Sequence, residues 1–419
     1  MSVQARSKQP VGWIPSFLIL AIMALTGFEF FYRAQNYLLV PVFVISGIFF
    51  TKKGYRISEG LLVILIPFFI LSLIQTILGY NKNILTSISL LVAFLTYGFI
   101  SKVVGDKFIH VYIKLVLIFS IISLIFFPLT YVEPFMAIIS TKIAPMFKSL
   151  NDNNNDLAIG EENRNIIIYN FKNYASLYNR NSGPFWEPGM FAVFINVALF
   201  FNIVISKKLI NIRNIILITT IVTTFSTTGY IALIFIFLVY SIFYSNSKLS
   251  LLYVLAIVIA SIYIANLDIL KTKILNQYSD KTGASRFGAT LIHYQVISEY
   301  PFTGVGDGAS RYIADLTDAE STANGLTFVF VKYGVIYGLL YYIVLCRSCI
   351  YIMGAYSNKK IIGYSLFVLL LILAFSQDIT VRHFYFFIII WGTIVMAPNV
   401  RLKQISRRLK YYQKQSVSQ

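Results

Sequence analysis

The stretch NRNSGPFWEPGMFAVFINVALFFNIVI, residues 179–205, joins two very different kinds of sequence. Its first part is polar, aromatic or rich in glycine and proline, and it includes Arg180 and Glu187. The part from Trp186 to Ile205 is mainly apolar and has about the 20 residues that a helix needs to cross about 30 Å of hydrocarbon. The sequence therefore predicts a transmembrane helix whose entrance carries a cation and an anion.

The remainder of the chain has the composition of an integral membrane protein. Of its 419 residues, 57% are hydrophobic and only 12% are charged, and the mean hydropathy is +0.72. Apolar runs of about 17 to 22 residues recur from end to end, as in polytopic helical proteins, whereas a transmembrane barrel would show short alternating segments. We therefore predict an all-α, polytopic bundle. The N-terminal MSVQARSKQP leads into a span without a small-residue cleavage site, so we expect the first helix to be retained.

We expect about twelve spans within a single transmembrane domain, residues 1–419. Ser226–Gly229, SerThrThrGly, separates two of the spans and would form a break or a re-entrant turn. The predicted spans are residues 13–31, 37–50, 60–80, 84–100, 109–128, 186–205, 212–225, 230–244, 251–265, 326–346, 361–376 and 384–396.

The positive charges predict how the bundle is oriented. Lysines and arginines are concentrated in alternate short loops and in the tail, residues 400–419. Loops of this kind remain in the cytoplasm, so both termini should be cytoplasmic and the protein should lie in the inner membrane. This pattern explains the net charge of +18 without a nucleic-acid partner, for which the sequence has no basic soluble domain. The basic tail would contact anionic lipid headgroups.

Two long loops, residues 129–185 and 267–325, are each about 55 residues and fall on the predicted periplasmic side; long segments of this kind often carry function. In the second loop, SRFGATLIHYQVISEY repeats Ile292, Val296 and Ile297 at helical spacing, which predicts a helix at the membrane interface. We expect the site to lie where the two loops meet.

The first loop supplies Arg180 and Glu187. Glu187 followed by Pro188 is typical of a helix start, with an acidic N-cap and proline in the first turn, and this structural role is an alternative to a chemical one. Trp186 lies where an interfacial anchor is expected. Arg180 stands a few residues outside the helix entrance, where glycine and proline restrict its placement.

The second loop supplies Arg286, with Thr290 and His293 at the i+4 and i+7 positions of the same helix face. Two arginines brought together from separate loops would bind a doubly charged phosphate group, because guanidinium groups are always protonated and bind phosphate oxygens in pairs. The alternatives are that the arginines reach toward lipid headgroups and that His293 is a satisfied interfacial histidine.

Further along, YPFTGVGDGAS, residues 300–310, has glycines that permit a tight turn and would leave backbone amides for an anion; no strand precedes it, so a nucleotide site is disfavoured. Asn324 would stand at a helix start, and Gly334 would allow close packing.

The acids of this loop, Asp307 among them, lack the paired spacing of metal ligands. Cys346 and Cys349 have no partners that indicate a metal or redox centre, so we expect no metal and no cofactor.

The order of these motifs, an arginine before an EPG helix start, then SRF, PFTGVGDG and AN with GVIY, resembles the bacterial O-antigen ligase and Wzy-type polysaccharide polymerase superfamily. The resemblance implies a GT-C-like bundle of about a dozen helices with two periplasmic loops. It also implies a glycosyltransferase that joins undecaprenyl-diphosphate-linked oligosaccharide units into O-antigen or capsular polysaccharide. Ala323 stands where ligases of the superfamily typically have histidine, which favours the polymerase.

This resemblance, with the chemistry of the residues, gives each candidate a role. Arg180 and Arg286 would stabilise the departing lipid diphosphate, and Glu187 or His293 would accept the hydroxyl proton. The predicted substrate-binding residues are Asn324, Asp307, Arg311 and Tyr294. The implied partners are the lipid-linked oligosaccharide, membrane lipids, a chain-length regulator and a flippase.

Two other functions stay open at this point. The ligase transfers finished polymer to a lipid acceptor and shares the resemblance. A flippase or transporter for the same lipid-linked sugars would place charged residues at the bilayer midplane and often has repeated halves. The predicted spans have few charges near their centres, with Glu29 and Lys332 the main candidates.

Overall fold

The computed structural model describes residues 12–31, 35–147, 165–171, 179–245, 286–316, 324–357 and 359–400, and this part of the chain is mainly helical. The predicted span 251–265, Ala323 and the basic tail lie outside the described residues. The helices are α1 (Trp13–Gly27), α2 (Gln35–Lys52), α3 (Glu59–Ile77), α4 (Ile84–Val104), α5 (Phe108–Leu129), α6 (Glu133–Ile138), α7 (Pro188–Ser206), α8 (Ile212–Thr223), α9 (Thr227–Phe243), α10 (Arg286–Glu299), α11 (Ala309–Leu316), α12 (Gly325–Tyr356), α13 (Lys360–Ala374) and α14 (His383–Trp391).

Several of these helices can cross a membrane. In the described residues, five stretches have the necessary length and hydropathy, while α1, α2, α8, α9 and α13 are shorter apolar helices. The prediction of a helical membrane protein is thereby confirmed, whereas the count of twelve and the GT-C-like arrangement stay predictions. The five long stretches are Glu59–Ile77, Ile84–Leu129, Pro188–Ser206, Gly325–Tyr356 and His383–Val400.

Helix α7 lies at the centre of the bundle. Its apolar stretch is 83% buried, against 39% for α3 and for α12. Helices α5, α8 and α9 pack around it, and small residues permit the closest approach: a Cβ on Gly229 of α9 would lie 2.9 Å from the Cβ of Ala192. Since lipid is as apolar as a protein core, such close packing is the main attraction between membrane helices. The entrance of α7 therefore opens inside the bundle.

A small separate layer covers the predicted outer end of α5. Strands β1 (Asn165–Ile166) and β2 (Tyr169–Asn170) form an antiparallel hairpin. The hairpin packs with α6 and the turns that follow it, Ile139–Ile143 and Ala144–Phe147, around buried Tyr169 and Phe171. This layer brings the chain back toward the entrance of α7.

Helix α12 is broken at Gly334, whose φ of 76° and ψ of 173° are not helical. The predicted close packing at Gly334 is present, since a Cβ there would overlap Phe302 O, but the break in the helix was not predicted. The segment 300–308, here called the glycine loop, docks into the break: Val305 N–H donates to Val331 O at 2.9 Å, and Val335 N–H donates to Pro301 O at 2.7 Å. Non-helical backbone at membrane depth is stable only when other protein groups satisfy it, as these bonds do.

The glycine loop also corrects the prediction that its amides are available to an anion. The N–H groups of Gly304 and Gly308 donate to carbonyls of the same loop, and that of Asp307 donates to Asn81 Oδ1 at 2.9 Å. The buried Gln75 side chain completes the joint, since its Nε2 donates to Thr303 O and Lys332 O at 2.7 and 2.8 Å. The loop is a structural connection between α3 and α12.

Candidate functional site

Residues 179–187, here called the strap, run as a non-helical segment with a turn at Gly183 into the bundle and end at the start of α7. Residues 181–185 are all buried. The backbone pairs with the end of α1: Phe28 bridges Phe185, Glu29 N–H donates to Pro184 O at 3.0 Å, and Trp186 N–H donates to Gly27 O at 3.2 Å. The polar residues that precede the apolar run thus lie inside the protein and position Arg180 and Glu187.

Asn181 fixes the middle of the strap. Its Nδ2 donates to Ser123 Oγ at 3.1 Å and Thr223 Oγ1 at 2.9 Å, while its Oδ1 accepts from Gly183 N–H at 3.1 Å. Gly183 has a φ of 53°, which favours glycine, and a Cβ there would lie 2.8 Å from the Phe191 ring. The strap is therefore tied at one point to α5 and α8.

Arg180 is held against the turn between α8 and α9. Its Nε donates to Thr224 O at 3.2 Å and its Nη2 donates to Phe225 O at 3.1 Å. These carbonyls are exposed for bonding because α8 ends at Thr223 and α9 begins only at Thr227, the break that the sequence predicts. The guanidinium is half-buried and therefore has a fixed position beside the entrance of α7.

Glu187 occupies the N-cap position of α7, with Pro188 next, as predicted. Its side chain makes no capping hydrogen bond and instead bonds with the Gln377 side chain. Burial raises the pKa of the Glu187 carboxyl, and the Gln377 hydrogen bond together with the charges of Arg180 and Arg286 acts in the opposite direction. Glu187 is thus available for a chemical role, since no described backbone amide of the helix uses its carboxylate as a cap.

Arg286, the first residue of α10, belongs to the same electrostatic cluster. Burial lowers its pKa, the negative charge of Glu187 raises it, and the positive charge of Arg180 lowers it. An arginine remains protonated despite such a shift, since its ordinary pKa is above about 12. Arg180, Glu187 and Arg286 therefore form one interacting group, with a net charge of one positive unit when Glu187 is ionised.

The short connection between α13 and α14 also contributes residues to the site. The sequence did not predict this contribution. Gln377 bonds Glu187, and the charge of Asp378 raises the Glu187 pKa. Arg382 donates to both Asp378 oxygens, at 3.1 and 2.6 Å, and its guanidinium carbon lies 4.4 Å from the Trp186 ring centre. The feature of the sequence that could have indicated these site residues is the polar run SQDITVR, which lies between two apolar spans. Trp186 thus contacts a cation at the site entrance.

His293 lies on the predicted face of α10, but it is buried, with 0% of its surface exposed. Its Nδ1 is 2.6 Å from Thr327 Oγ1, and burial lowers its pKa to about 4. Thr290, on the same face, donates to Arg286 O at 2.9 Å and accepts from Asn324 Nδ2 at 2.7 Å. The face packs against the start of α12 and thereby positions Arg286.

Asn324 caps α12, since its Oδ1 accepts from Leu326 N–H at 3.0 Å and from Thr327 N–H at 3.5 Å. The predicted start of a helix at Asn324 is confirmed. Only 1% of the residue is exposed, and its described contacts connect α10 to α12. The predicted role in substrate binding stays a prediction that these contacts do not support.

The other predicted substrate-binding residues lie outside the arginine cluster. Asp307 forms an ion pair with Lys332, with Nζ 2.8 Å from Oδ1, and the Lys332 charge lowers the pKa of the Asp307 carboxyl. Arg311 is exposed on α11, and Tyr294 on α10 is 72% exposed. The structure places these side chains near the surface, and their roles stay predictions.

Within the described residues, no group of three or more His, Cys, Asp or Glu side chains is placed to hold a metal ion.

Comparison with known protein families shows that residues 212–343 match the family model described as O-Antigen ligase. The match covers less than half of the chain; it includes Arg286 and α10, whereas the strap precedes it. Comparison with curated proteins and with solved structures gives no significant match. The resemblance to the ligase and polymerase superfamily is confirmed over the matched region.

Proposed function

We propose that this chain, whose residues 212–343 match the family model described as O-Antigen ligase, is a polysaccharide polymerase. It would join undecaprenyl-diphosphate-linked oligosaccharide units at the periplasmic face of the membrane. The observation that carries the proposal is the cluster of Arg180, Glu187 and Arg286 at the entrance of the central helix. Two cations that interact with one carboxylate fit a reaction in which a diphosphate leaves and a hydroxyl loses its proton.

In the proposed reaction, a hydroxyl of the incoming lipid-linked unit attacks the anomeric carbon of the growing chain. A new glycosidic bond forms, the bond from that carbon to the lipid diphosphate breaks, and the diphosphate leaves with the electron pair. Arg180 and Arg286 balance the negative charge that develops on the diphosphate. Each arginine would contribute about 3 kcal/mol, the usual size for one preorganised donor of this kind.

Glu187 is the better candidate for accepting the hydroxyl proton. Its burial raises the pKa of the carboxyl, which makes the carboxylate a stronger base. His293, the other predicted base, has a pKa lowered to about 4, is fully buried and bonds with Thr327. We assign His293 to positioning: it anchors α10 on α12 and so holds Arg286.

The position of the cluster at the start of α7 supports an anionic ligand for a further reason. The first N–H groups of a helix point outward along its axis and give its start a partial positive charge. Pro188 occupies the first position of α7, as is common at helix starts. A diphosphate at this point would meet the helix dipole and both arginines together.

The ligase reaction is the second candidate, because the matched family is described as O-Antigen ligase. A ligase would use the same donor and the same leaving group, but its acceptor would be a different glycolipid. The arginine cluster acts on the donor and therefore serves either reaction. The acceptor decides between them.

The test is reconstitution of the purified chain in liposomes with lipid-linked oligosaccharide units. A polymerase should convert these units into a ladder of longer products, whereas a ligase should do so only when a core glycolipid acceptor is added and should attach the sugar to it. Arg180→Ala and Arg286→Ala should each remove the products, because the leaving diphosphate loses its cation. Arg56→Ala, an exposed arginine at the other end of the bundle, is the matched control.

Three results would contradict the proposal. Full ladders from both arginine variants would rule out the diphosphate role of the cluster. Products formed only on the core glycolipid would replace the polymerase by the ligase. Transfer of the lipid-linked unit across the bilayer without any new glycosidic bond would replace both by a flippase.

A further inference from the structure

A cavity lies at the end of the bundle opposite the strap. It has a volume of about 490 Å³ and is formed by the start of α3, the end of α4, the later part of α12 and the helical residues 392–398 that continue α14. The proposed glycosyl transfer does not use this cleft. The residues that line the cleft include Glu59, Val63, Lys102, Arg347, Ile394 and Pro398.

The cleft is lined by three charged side chains of both signs. Lys102 is half-buried, and its Nζ donates to Ile394 O at 3.3 Å, which fixes the ammonium at the wall of the cleft. Arg347 and Glu59 are exposed. The cleft therefore offers two cations and one carboxylate around a shared space.

The remaining lining is mainly apolar and continues onto the membrane-facing side of α3. Val63 is 71% exposed on this transmembrane helix, and Ile394 and Pro398 line the same cleft. An exposed valine on a span contacts lipid chains when the protein is in a bilayer. The cleft thus joins a charged end to a surface that lipid chains cover.

We propose that this cleft binds an aminophospholipid, a lipid whose headgroup combines a phosphodiester with a primary ammonium. Lys102 and Arg347 hold the phosphodiester, Glu59 holds the ammonium, and an acyl chain lies along Val63. Each charged group of the headgroup then faces side chains of opposite charge. The chain's own tail, residues 401–419, is a poorer occupant because its sequence is basic and the cleft carries an excess of positive charge.

The experiment is native mass spectrometry of the purified full-length chain, titrated with phosphatidylethanolamine, phosphatidylglycerol or phosphatidylcholine. Wild type should bind phosphatidylethanolamine several-fold more tightly than the other two. Lys102→Met and Arg347→Met should each weaken this binding about tenfold, the usual size for one charge-assisted hydrogen bond. Glu59→Gln should remove the preference for phosphatidylethanolamine over phosphatidylglycerol while binding of phosphatidylglycerol persists.

Lys52→Met and Arg213→Met are the matched controls, since both residues are exposed cations at the same end of the bundle. Lys102→Arg retains the charge and should retain binding, which separates loss of a cation from loss of the fold. Equal affinity of wild type for the three lipids would overturn the proposal, as would equal losses in the control variants. A chain ended at Val400 that binds the lipid several-fold more tightly would identify the tail as the occupant and overturn it as well.

Discussion

The strap and the glycine loop are both non-helical segments inside a helical bundle, yet their tightest contacts are of different kinds. The strap pairs its backbone with the end of α1 and is also held by side-chain amides: Asn181 bonds α5 and α8, and Asn170 Nδ2 donates to Phe185 O at 3.0 Å. The glycine loop uses direct backbone contact with the break in α12, together with the Gln75 side chain. The strap lies against a side chain at its glycine, since a Cβ on Gly183 would meet the Phe191 ring, whereas Gly304 of the glycine loop lies against the backbone of α12.

We expect the strap to serve the reaction and the glycine loop to support the fold. The strap carries Arg180 and Glu187 into the cluster with Arg286, so changes in it should act mainly on the reaction. The glycine loop contributes Asp307, whose carboxylate is paired with Lys332, so changes in it should act mainly on stability.

The largest effect is expected for the arginines of the cluster. Arg180→Ala and Arg286→Ala should each lower the rate of polymer formation about 10²- to 10³-fold, the range for loss of one preorganised donor. Arg180→Lys and Arg286→Lys should recover only about a tenth of the wild-type rate or less, because lysine retains the charge but cannot bind two oxygens in a planar fork. Initial rates with lipid-linked units would measure both effects. Lysine variants with full activity would contradict bidentate binding of the diphosphate.

The next effect compares the two segments directly through their glycines. A Cβ on Gly304, whose φ is 60°, would lie 2.5 Å from Gly334 N, where backbone cannot move aside, so Gly304→Ala should destabilise the protein by about 3 kcal/mol. A Cβ on Gly183 would meet the Phe191 ring, which can shift, so Gly183→Ala should cost about 1 to 2 kcal/mol. Apparent melting temperatures in detergent test the order.

The two alanine variants should also differ in the rate of the folded protein. Gly183→Ala shifts the strap, so the rate of the surviving folded protein should fall well below wild type. Folded Gly304→Ala should retain most of its rate per molecule. If the two variants lose rate and stability in the same proportion, the separation of chemistry from support is wrong.

The third effect concerns Glu187. Glu187→Gln should lower the rate about 10- to 100-fold, at or below the low end for loss of a general base, because diphosphate is already a good leaving group. The base is the carboxylate, and burial raises its pKa, so the wild-type rate should rise with pH through a pKa above the ordinary value and then level off. The Gln variant should lack this rise. A pH profile shared by wild type and variant would exclude Glu187 as the base.

Much of the fold was accessible from the sequence because helix length and hydropathy decide which segments enter the membrane. The break at Ser226, the helix at Arg286 and the helix start at Asn324 were predicted correctly. The break at Gly334 was not, since a glycine inside an apolar run has the same local pattern whether it packs or bends. Its conformation depends on contact with Phe302 and Gly304, about 30 residues earlier in the chain.

The candidate site could be predicted from the sequence only in part. Charged residues beside an apolar span are conspicuous, so Arg180 and Glu187 could be selected from the sequence, and Arg286 could be selected because it begins a segment with helical spacing in the second loop. The burial of the strap could not be predicted, because a non-helical segment has no periodic pattern. The contribution of Gln377 was also hidden, since only packing brings the connection between α13 and α14 onto Glu187.

The fourth effect separates a structural from a binding role for Asn324. Asn324→Ala removes the cap of α12 and the bond to Thr290, which should destabilise the protein by about 1 kcal/mol or somewhat more. Asn324→Ser retains a capping acceptor and should recover most of this loss. The apparent melting temperature and the KM for the lipid-linked substrate would both be measured. A raised KM in a variant of normal stability would support direct substrate binding instead.

The smallest effect is expected for the Asp307–Lys332 ion pair, because the Asp307 side chain is 42% exposed and water screens its charge. Asp307→Asn should cost about 0.5 kcal/mol or less. The Lys332 charge lowers the pKa of the Asp307 carboxyl, so the stabilisation is fully present above the unfolded pKa of about 3.9 and is lost as the pH falls through the lower folded value. Melting temperatures of wild type and variant should therefore differ slightly at pH 7 and converge near pH 2. A loss of several kcal/mol at pH 7 would show that the glycine loop depends on this charge pair more than on its backbone contacts.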